Sequence, residues 1–270
     1  MSAVCLHQGE EPPIAGEKGI VNVFFAHCNL HCIYCQNEAI SSHTVDNALV
    51  HYTSVETISD RVAELLPQSS GLLGFVTAAH YADRIPEIMD NLAARGLHPT
   101  VVYNSSGYES VETLRSLEGI VDIYLPDLKY MQSDLAEAYS HAADYPEVAT
   151  KALMEMQRQV GAGLKVMGGT AFRGMIVRHL VLPGHTDNSV ACLDWLADHM
   201  PMNLHISLMA QYFPPSSTLP SPLDRTLTEE EYNSVVDHYN ELGFFNGWLQ
   251  ELSAESHYRP DFSNKDNPFK

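Results

Sequence analysis

Short apolar runs alternate with amphipathic segments along most of the chain. The apolar runs predict strands at 19–25, 71–77, 100–103, 120–125, 175–182 and 204–209, and a further short strand near 247–252. Apolar residues spaced three and four apart predict helices between them, at 54–66, 82–95, 110–117, 144–160 and 186–199, and a last one from 228. This alternation indicates a parallel sheet with crossover helices.

The order of these elements predicts an α/β fold, a partial (β/α)6 barrel of the TIM type that is open on one side. We expect three regions: a leader without regular structure at 1–18, the barrel at 19–253, and a polar, frayed tail at 254–270. Three stretches inside the barrel region are predicted to be a polar connection, a glycine-rich loop and a proline-rich loop or lid: 130–144, 161–174 and 213–226. The carboxyl ends of the strands would then face one cavity.

Charge and composition exclude some classes of function. Lys and Arg number 15 against 34 Asp and Glu, a net charge of −19, so the surface repels nucleic acid. No apolar run reaches the length of a transmembrane helix, and the polar residues 1–16 do not resemble a signal peptide. We therefore expect a cytoplasmic protein without a membrane or nucleic-acid partner, in which five cysteines form no disulfide framework.

Three cysteines with the spacing C-x3-C-x2-C follow the first predicted strand: Cys28, Cys32 and Cys35. Thiolates bind iron–sulfur clusters and zinc alike. Three interpretations are open: a four-iron cluster with one open iron, a zinc site completed by His27 or His31, and unligated thiols. The other two cysteines lie elsewhere; Cys5 is in the leader, and Cys192 is on an apolar helix face, where we expect a buried small side chain.

Polar residues follow the predicted strands, where a barrel would bring them to one cavity: Thr77, His80, Asn104, Ser105, Ser106, Asp127 and Lys129. Asp127 and Lys129 lie two apart in an extended segment and hence on the same side. They could bind the ammonium and the carboxylate of an amino acid, or pair with neighbouring charges.

Arg178 lies between Ile176 and Leu180 on one face of a predicted strand. A buried cation costs several kcal/mol unless it is paired. Its partner would be the carboxylate of a bound amino acid or a nearby acidic side chain, unless the residue faces outward.

The cysteine spacing, with Tyr34 just before the third cysteine, resembles the signature of the radical S-adenosylmethionine superfamily. The resemblance implies that Cys28, Cys32 and Cys35 hold a [4Fe-4S] cluster whose open iron binds S-adenosylmethionine. One electron would cleave the sulfonium to methionine and a 5′-deoxyadenosyl radical, which abstracts a hydrogen atom. Tyr34 would lie near the adenine, and Asn37 would support the cofactor.

Four longer stretches resemble the branch of that superfamily that includes pyruvate formate-lyase activating enzymes: 9–13, 102–108, 122–129 and 207–214. The likeness covers nearly the whole chain. It implies that Asp127, Lys129 and Arg178 contact the methionine part of S-adenosylmethionine, with further contacts from strand-end residues: Thr77, His80, Asn104 and Ser106. It also implies an electron donor such as flavodoxin or ferredoxin, and a glycyl radical enzyme as the partner.

The chain departs from the pattern of these families in two places. Residues 77–80 (Thr-Ala-Ala-His) stand where most of the superfamily has a Gly-Gly-Glu-like segment for the cofactor's amino group. Relatives often begin with a Cys-rich leader, whereas Cys5 alone cannot form a second cluster. Two other functions stay open: a radical enzyme acting on a small molecule or peptide, and a non-catalytic iron–sulfur or zinc module.

Overall fold

The computed structural model describes residues 1–42, 46, 49–51, 54–256, 260–264 and 267–269. Its strands form one nine-stranded sheet: β1 Ala3–His7, β2 Ile20–Phe24, β3 Leu72–Val76, β4 Thr100–Ser105, β5 Ile123–Pro126, β6 Lys165–Met167, β7 Thr170–Leu180, β8 His205–Met209 and β9 Gly247–Leu249.

The strand order is β1-β2-β3-β4-β5-β7-β8-β9, with β6 attached to β7. Neighbouring strands from β2 to β9 in this order are parallel. The strand β1 is antiparallel to β2, and β6 is antiparallel to β7. Among the described residues β1 and β9 are the two ends of the sheet and do not pair with each other. The predicted partial barrel, open on one side, is confirmed.

Nine helices accompany the sheet in the described part of the chain: α1 Pro12–Ala15, α2 Glu38–Ser41, α3 Val55–Leu65, α4 Arg84–Ala94, α5 Val111–Ser116, α6 Ser133–Ser140, α7 Tyr145–Val160, α8 Thr186–His199 and α9 Glu229–Glu241. Ser54 caps α3, and Thr228 forms a capping box with Glu231 at the start of α9. No described helix combines the length and the apolar character needed to cross a bilayer.

The two faces of the sheet carry different apolar clusters. Residues such as Val23 and Phe75 pack on the crossover helices in the main core. Residues whose side chains point to the opposite face, such as Leu72 and Val102, form a smaller cluster with Ile14 of α1. The short helix α1 therefore covers part of the sheet face that the crossover helices leave free.

Three expectations about irregular stretches were wrong. The leader forms β1 and α1, the polar connection contains α6, and residues 165–167 pair with the early part of β7. Ala3, Val4 and Cys5 are fully buried because β1 lies along the edge of β2. Segments of four to eight residues contain too few turns or alternations for periodicity to reveal them. The stretch 213–226, all of it described, is an ordered loop without helix or strand, as predicted.

The described part of the tail is packed and not frayed. Phe262 is buried, with its ring centroid 5.5 Å from that of Phe24. Phe269 lies 5.6 Å from Phe24 and 4.2 Å from the ring of His7. Phe262 and Phe269 thus attach the tail to β1 and β2.

Candidate functional site

The cysteine loop follows β2 and is fixed by its backbone at two places. His27, which has a positive φ of 68°, donates its amide to the carbonyl of Ile40 at 2.6 Å. The amides of His31 and Ile33 donate to the carbonyls of Ser140 and Tyr139 at the end of α6. The helix α6 therefore supports the segment that carries the cysteines.

Cys28, Cys32 and Cys35 line one cavity of about 240 Å³, which we call the cysteine cavity. Strand ends supply most of the other polar lining: Thr77, Asn104, Ser105, Ser106, Asp127, Lys129 and Arg178. Tyr34 and Asn37 of the cysteine loop line it as well. The structure thus brings together the cysteines and every predicted cofactor-binding residue except His80.

Each thiol has a polar neighbour. The hydroxyl of Ser140 donates to Cys32 Sγ at 3.0 Å, the amide of Leu30 donates to Cys28 Sγ at 3.4 Å, and Ser41 Oγ lies 3.2 Å from Cys35 Sγ. Burial raises the pKa of Cys28 to about 12 and also raises the pKa of Cys32. Metal binding by these thiols would therefore release protons.

The thiols share a cavity but are not gathered around one point. Within the described residues, no group of three Cys, His, Asp or Glu side chains is arranged to hold a single metal ion. The thiolates of an iron–sulfur cluster bind different iron atoms, so a shared cavity with polar walls suits such a cluster. Cys28, Cys32 and Cys35 would hold it.

A chain of hydroxyl groups leads from Tyr34 to Cys32. The hydroxyls of Tyr34 and Tyr130 lie 2.6 Å apart, and those of Tyr130 and Ser140 lie 2.8 Å apart. The chain ends at the bond from Ser140 to Cys32. The hydroxyl of Tyr34 therefore points into the core of the protein.

Asp127 and Lys129 form an ion pair at the end of β5, with Nζ and Oδ2 2.5 Å apart. Burial opposes the charge on Lys129, but the carboxylate of Asp127 holds its pKa well above the usual range. About a fifth of each side chain is exposed, so both ions reach the cavity. This neutral pair could separate to meet the two charges of an amino acid.

The loop after β4 packs tightly against the Asp127 backbone. Tyr145 Oη lies 2.8 Å from the carbonyl of Ser106 and 3.0 Å from that of Asp127, and it accepts the Lys129 amide. Gly107 has a φ of 79°, and a Cβ there would overlap the carbonyl oxygen of Asp127. A glycine is therefore required at this position for both its conformation and the close approach.

Beneath this loop lies a buried acid. Glu109 accepts a short hydrogen bond from Ser105, which in turn accepts the amide of Gly107 at 2.8 Å. Burial is the main cause that raises the pKa of Glu109 to about 7, and the nearby Asp127 carboxylate adds to it. Glu109 holds the loop from behind and does not line the cavity.

Arg178 lines the cysteine cavity, but its guanidinium is paired with two acids of the leader. Nε donates to Glu11 at 2.9 Å, and Nη2 lies 2.5 Å from an oxygen of Glu10 and of Glu11. Glu10 also accepts a hydrogen bond of 2.8 Å from the side-chain amide of Asn22. The partner that the buried cation requires is thus supplied by the chain itself, one of the alternatives that the sequence left open.

His80 lies outside the cysteine cavity. It is exposed, and its Nε2 lies 2.8 Å from the carbonyl oxygen of Ala26, just before the cysteine loop. Burial of its ring lowers its pKa. Thr77 reaches the cavity with a φ of 58°, an uncommon conformation for a threonine. Cofactor binding by either residue stays a prediction.

Sequence reasoning missed three supporting groups: the Glu10–Glu11 pair, Ser140 and Tyr130. The two adjacent acids before Pro12 and Pro13 were noticed only as part of a resemblance. Ser140 and Tyr130 lie in a stretch taken for a connection. No local pattern identifies them, because the partners that matter for the site, Tyr34, Cys32 and Arg178, are 96 to 168 residues away in the sequence.

Comparison with known proteins finds a distant sequence relative. An uncharacterised protein of Methanocaldococcus jannaschii is 27% identical over 240 residues, covering 86% of this chain and 64% of its own length. The chain thus spans under two thirds of the curated relative that it matches. No model of a protein family matches the sequence.

Solved structures share the fold. SuiB of Streptococcus suis, bound to S-adenosylmethionine, matches with a TM-score of 0.54 and 11% identity over 87% of this chain and 50% of its own. The FeFe-hydrogenase maturase HydG of Carboxydothermus hydrogenoformans has a TM-score of 0.54 and 10% identity over 92% of this chain and 56% of its own. The likeness to these two structures shows that the chain shares their fold.

Proposed function

We propose that this protein is a radical S-adenosylmethionine enzyme. One observation carries the proposal: the three thiols of the C-x3-C-x2-C loop and the Asp127–Lys129 ion pair line the same cavity. That cavity lies at the carboxyl ends of parallel strands, where folds of this kind bind their ligands. A site of only structural metal would not need the adjacent pair of opposite charges.

The residues of the cavity have complementary roles in this proposal. Cys28, Cys32 and Cys35 hold the cluster, Lys129 binds the carboxylate of S-adenosylmethionine, and Asp127 binds its ammonium. Asn37, Thr77, Asn104 and Ser106 supply hydrogen-bonding groups that complete the cofactor site. Tyr34, whose hydroxyl points into the core, lies near the adenine. Arg178 orients the acids of the leader and shapes the wall, because its donors are already occupied.

When bound, the cluster and S-adenosylmethionine supply a 5′-deoxyadenosyl radical, which takes a hydrogen atom from a carbon–hydrogen bond and leaves 5′-deoxyadenosine and a substrate radical. The chain keeps this chemistry apart from water. The apolar residues Leu30, Val76, Leu180 and Met209 line the cysteine cavity between its polar groups.

The electron must come from a reduced partner such as flavodoxin or ferredoxin. All five cysteines are free, which agrees with a reducing, cytoplasmic environment. We include both the donor and this location in the proposal.

Two kinds of hydrogen donor fit the proposal. A glycyl residue of a partner enzyme is the target that the name pyruvate formate-lyase activating enzyme suggests. A small molecule is the second candidate, favoured by a further cavity of about 370 Å³ that adjoins the cysteine cavity and is partly covered by Pro260 and Phe269 of the tail.

The first test is anaerobic reconstitution with iron and sulfide, followed by electron paramagnetic resonance of the reduced protein with and without S-adenosylmethionine. We expect a cluster signal that changes when the cofactor is added, together with 5′-deoxyadenosine. Both should be lost in Cys32→Ala and retained in Cys192→Ala, which removes a buried thiol outside the cavity. Uptake of zinc alone, or a signal indifferent to the cofactor, would contradict the proposal.

A further inference from the structure

A second cavity of about 370 Å³ adjoins the cysteine cavity, and we call it the acidic cavity because Glu10 and Glu11 line it. The two cavities share lining residues from the cysteine loop and the strand ends, among them Asn37, Asn104 and Arg178. A ligand in the acidic cavity would therefore lie next to one in the cysteine cavity. The volume suits a small organic molecule.

The acidic cavity carries an excess of negative charge. In the described part of the chain its charged lining residues are Glu10, Glu11 and Arg178, so two carboxylates face one guanidinium. Burial opposes the charge on Glu10, but Arg178 outweighs this and lowers its pKa. Burial lowers the pKa of the neighbouring His7, which disfavours a positive charge on its ring. A cation is the ligand that would balance it.

The cavity wall also holds polar groups without a partner. Ser207 is 97% buried, lines the cavity, and its hydroxyl makes no hydrogen bond to any described residue. The side-chain amide of Asn104 is likewise free of described partners and faces both cavities. Buried polar groups are nearly always hydrogen-bonded, so the Ser207 hydroxyl indicates a ligand or water in the cavity.

Aromatic rings complete the wall. Phe24, Phe269 and Trp248 line the acidic cavity, with Phe24 and Phe269 held 5.6 Å apart between ring centroids. Aromatic faces attract cations and pack against apolar groups. The cavity therefore offers a cation three things: uncompensated negative charge, aromatic surface and hydrogen-bond acceptors.

We propose that the acidic cavity binds a small organic molecule through a cationic, ammonium-type group, and that this molecule is the hydrogen donor of the enzyme. The second half rests on the proposed function, because it places the ligand beside the site where the radical would form. The first half is a statement about binding and does not require the cluster.

The test uses three phenyl probes of similar size and different charge: 2-phenylethylamine, 2-phenylethanol and phenylacetate. Their dissociation constants for the full chain without cluster are measured at neutral pH by ligand-observed nuclear magnetic resonance. We expect the ammonium to bind about tenfold more tightly than the alcohol, a difference of about 1.4 kcal/mol, and the carboxylate to bind most weakly.

Two variants locate the binding. Glu10→Gln leaves Arg178 paired with Glu11 and keeps an oxygen for Asn22, so it should remove the preference for the ammonium over the alcohol while the chain stays folded. Ser207→Ala should weaken ammonium binding several-fold.

Glu64→Gln on the outer surface of α3 and Ser116→Ala at the end of α5 are matched controls, and neither should change the dissociation constants.

Equal binding of the three probes, or an ammonium preference that survives in Glu10→Gln, would overturn the inference. Displacement of the ammonium by S-adenosylmethionine would overturn it too, because the site would then belong to the cofactor. Failure of deoxyadenosine formation with intact ammonium binding would instead refute the proposed function alone, so the two failures are distinguishable.

Discussion

Ser140 Oγ donates a hydrogen bond of 3.0 Å to Cys32 Sγ, although the two residues are 108 positions apart. Hydrogen bonds to cluster sulfurs stabilise the more negative, reduced state. We therefore expect Ser140→Ala to make the reduction potential of the reconstituted cluster more negative. Loss of a hydrogen bond to a metal-binding side chain lowers activity about tenfold in comparable metal sites. A redox titration followed by electron paramagnetic resonance measures the change.

Ser59→Ala is the matched control for this prediction. Ser59 is fully buried in α3, its hydroxyl has no hydrogen-bond partner among the described residues, and it does not line the cysteine cavity. Its removal should leave the potential unchanged. A potential that is the same in wild type and Ser140→Ala would show that the hydroxyl does not act on the cluster.

Gly107→Ala should disrupt the cofactor site. Gly107 and Gly96 have nearly the same backbone conformation, with φ of 79° and 76°, but only at Gly107 does a Cβ meet the Asp127 carbonyl. Gly96→Ala should lower the free energy of unfolding by about 1 kcal/mol, the cost of the left-handed conformation alone. Gly107→Ala should cost more and weaken S-adenosylmethionine binding. Urea unfolding and a binding titration test both; equal effects of the two substitutions would refute the role of the close contact.

Arg178→Met should lower the free energy of unfolding by about 3–5 kcal/mol, because it leaves Glu10 and Glu11 buried without their cation. The triple variant that also carries Glu10→Gln and Glu11→Gln should recover most of this loss. Arg84→Met, which breaks an exposed pair with Glu87, should have little effect. Urea unfolding compares the variants, and a failure of the triple variant to recover would mean that packing, not charge, dominates.

Glu109 predicts a pH dependence of stability. Its pKa in the folded chain, about 7, lies above the ordinary value of 4.5, so the folded state favours the protonated form. This contribution is fully present below pH 4.5 and is lost as the pH rises through 7. Relative to Glu109→Gln, the wild type should therefore lose stability on the order of 3 kcal/mol between pH 4.5 and 7.

The difference between these two proteins, measured by urea unfolding at several pH values, isolates Glu109 from other titrating groups. Glu112→Gln, an exposed acid on the next helix, supplies a control that should show no such trend. A constant difference across the range would mean that the pKa of Glu109 is the same in the folded and the unfolded chain.

The sequence predicted the parallel strands and the strand-end cavity because each depends on a local pattern. The cysteine spacing and the polar residues after β3, β4 and β5 are local signals of that kind. The ion pairs of Glu10 and Glu11 with Arg178 could not be predicted from the sequence. No residue near Arg178 in the sequence distinguishes a carboxylate partner within the chain from a bound carboxylate. Likewise α6, with only eight residues, shows too little periodicity to reveal that its last residue contacts a cysteine.

The ion pairs of Arg178 also constrain how the barrel assembles. Arg178, the partner of Glu11, lies 167 residues later in the chain. During synthesis, the hairpin of β1 and β2 can form early, whereas the two acids remain uncompensated until β7 has emerged. Contacts of such long range slow folding and make it cooperative. The two acids of the leader therefore reach their final contacts only after β7 has joined the sheet.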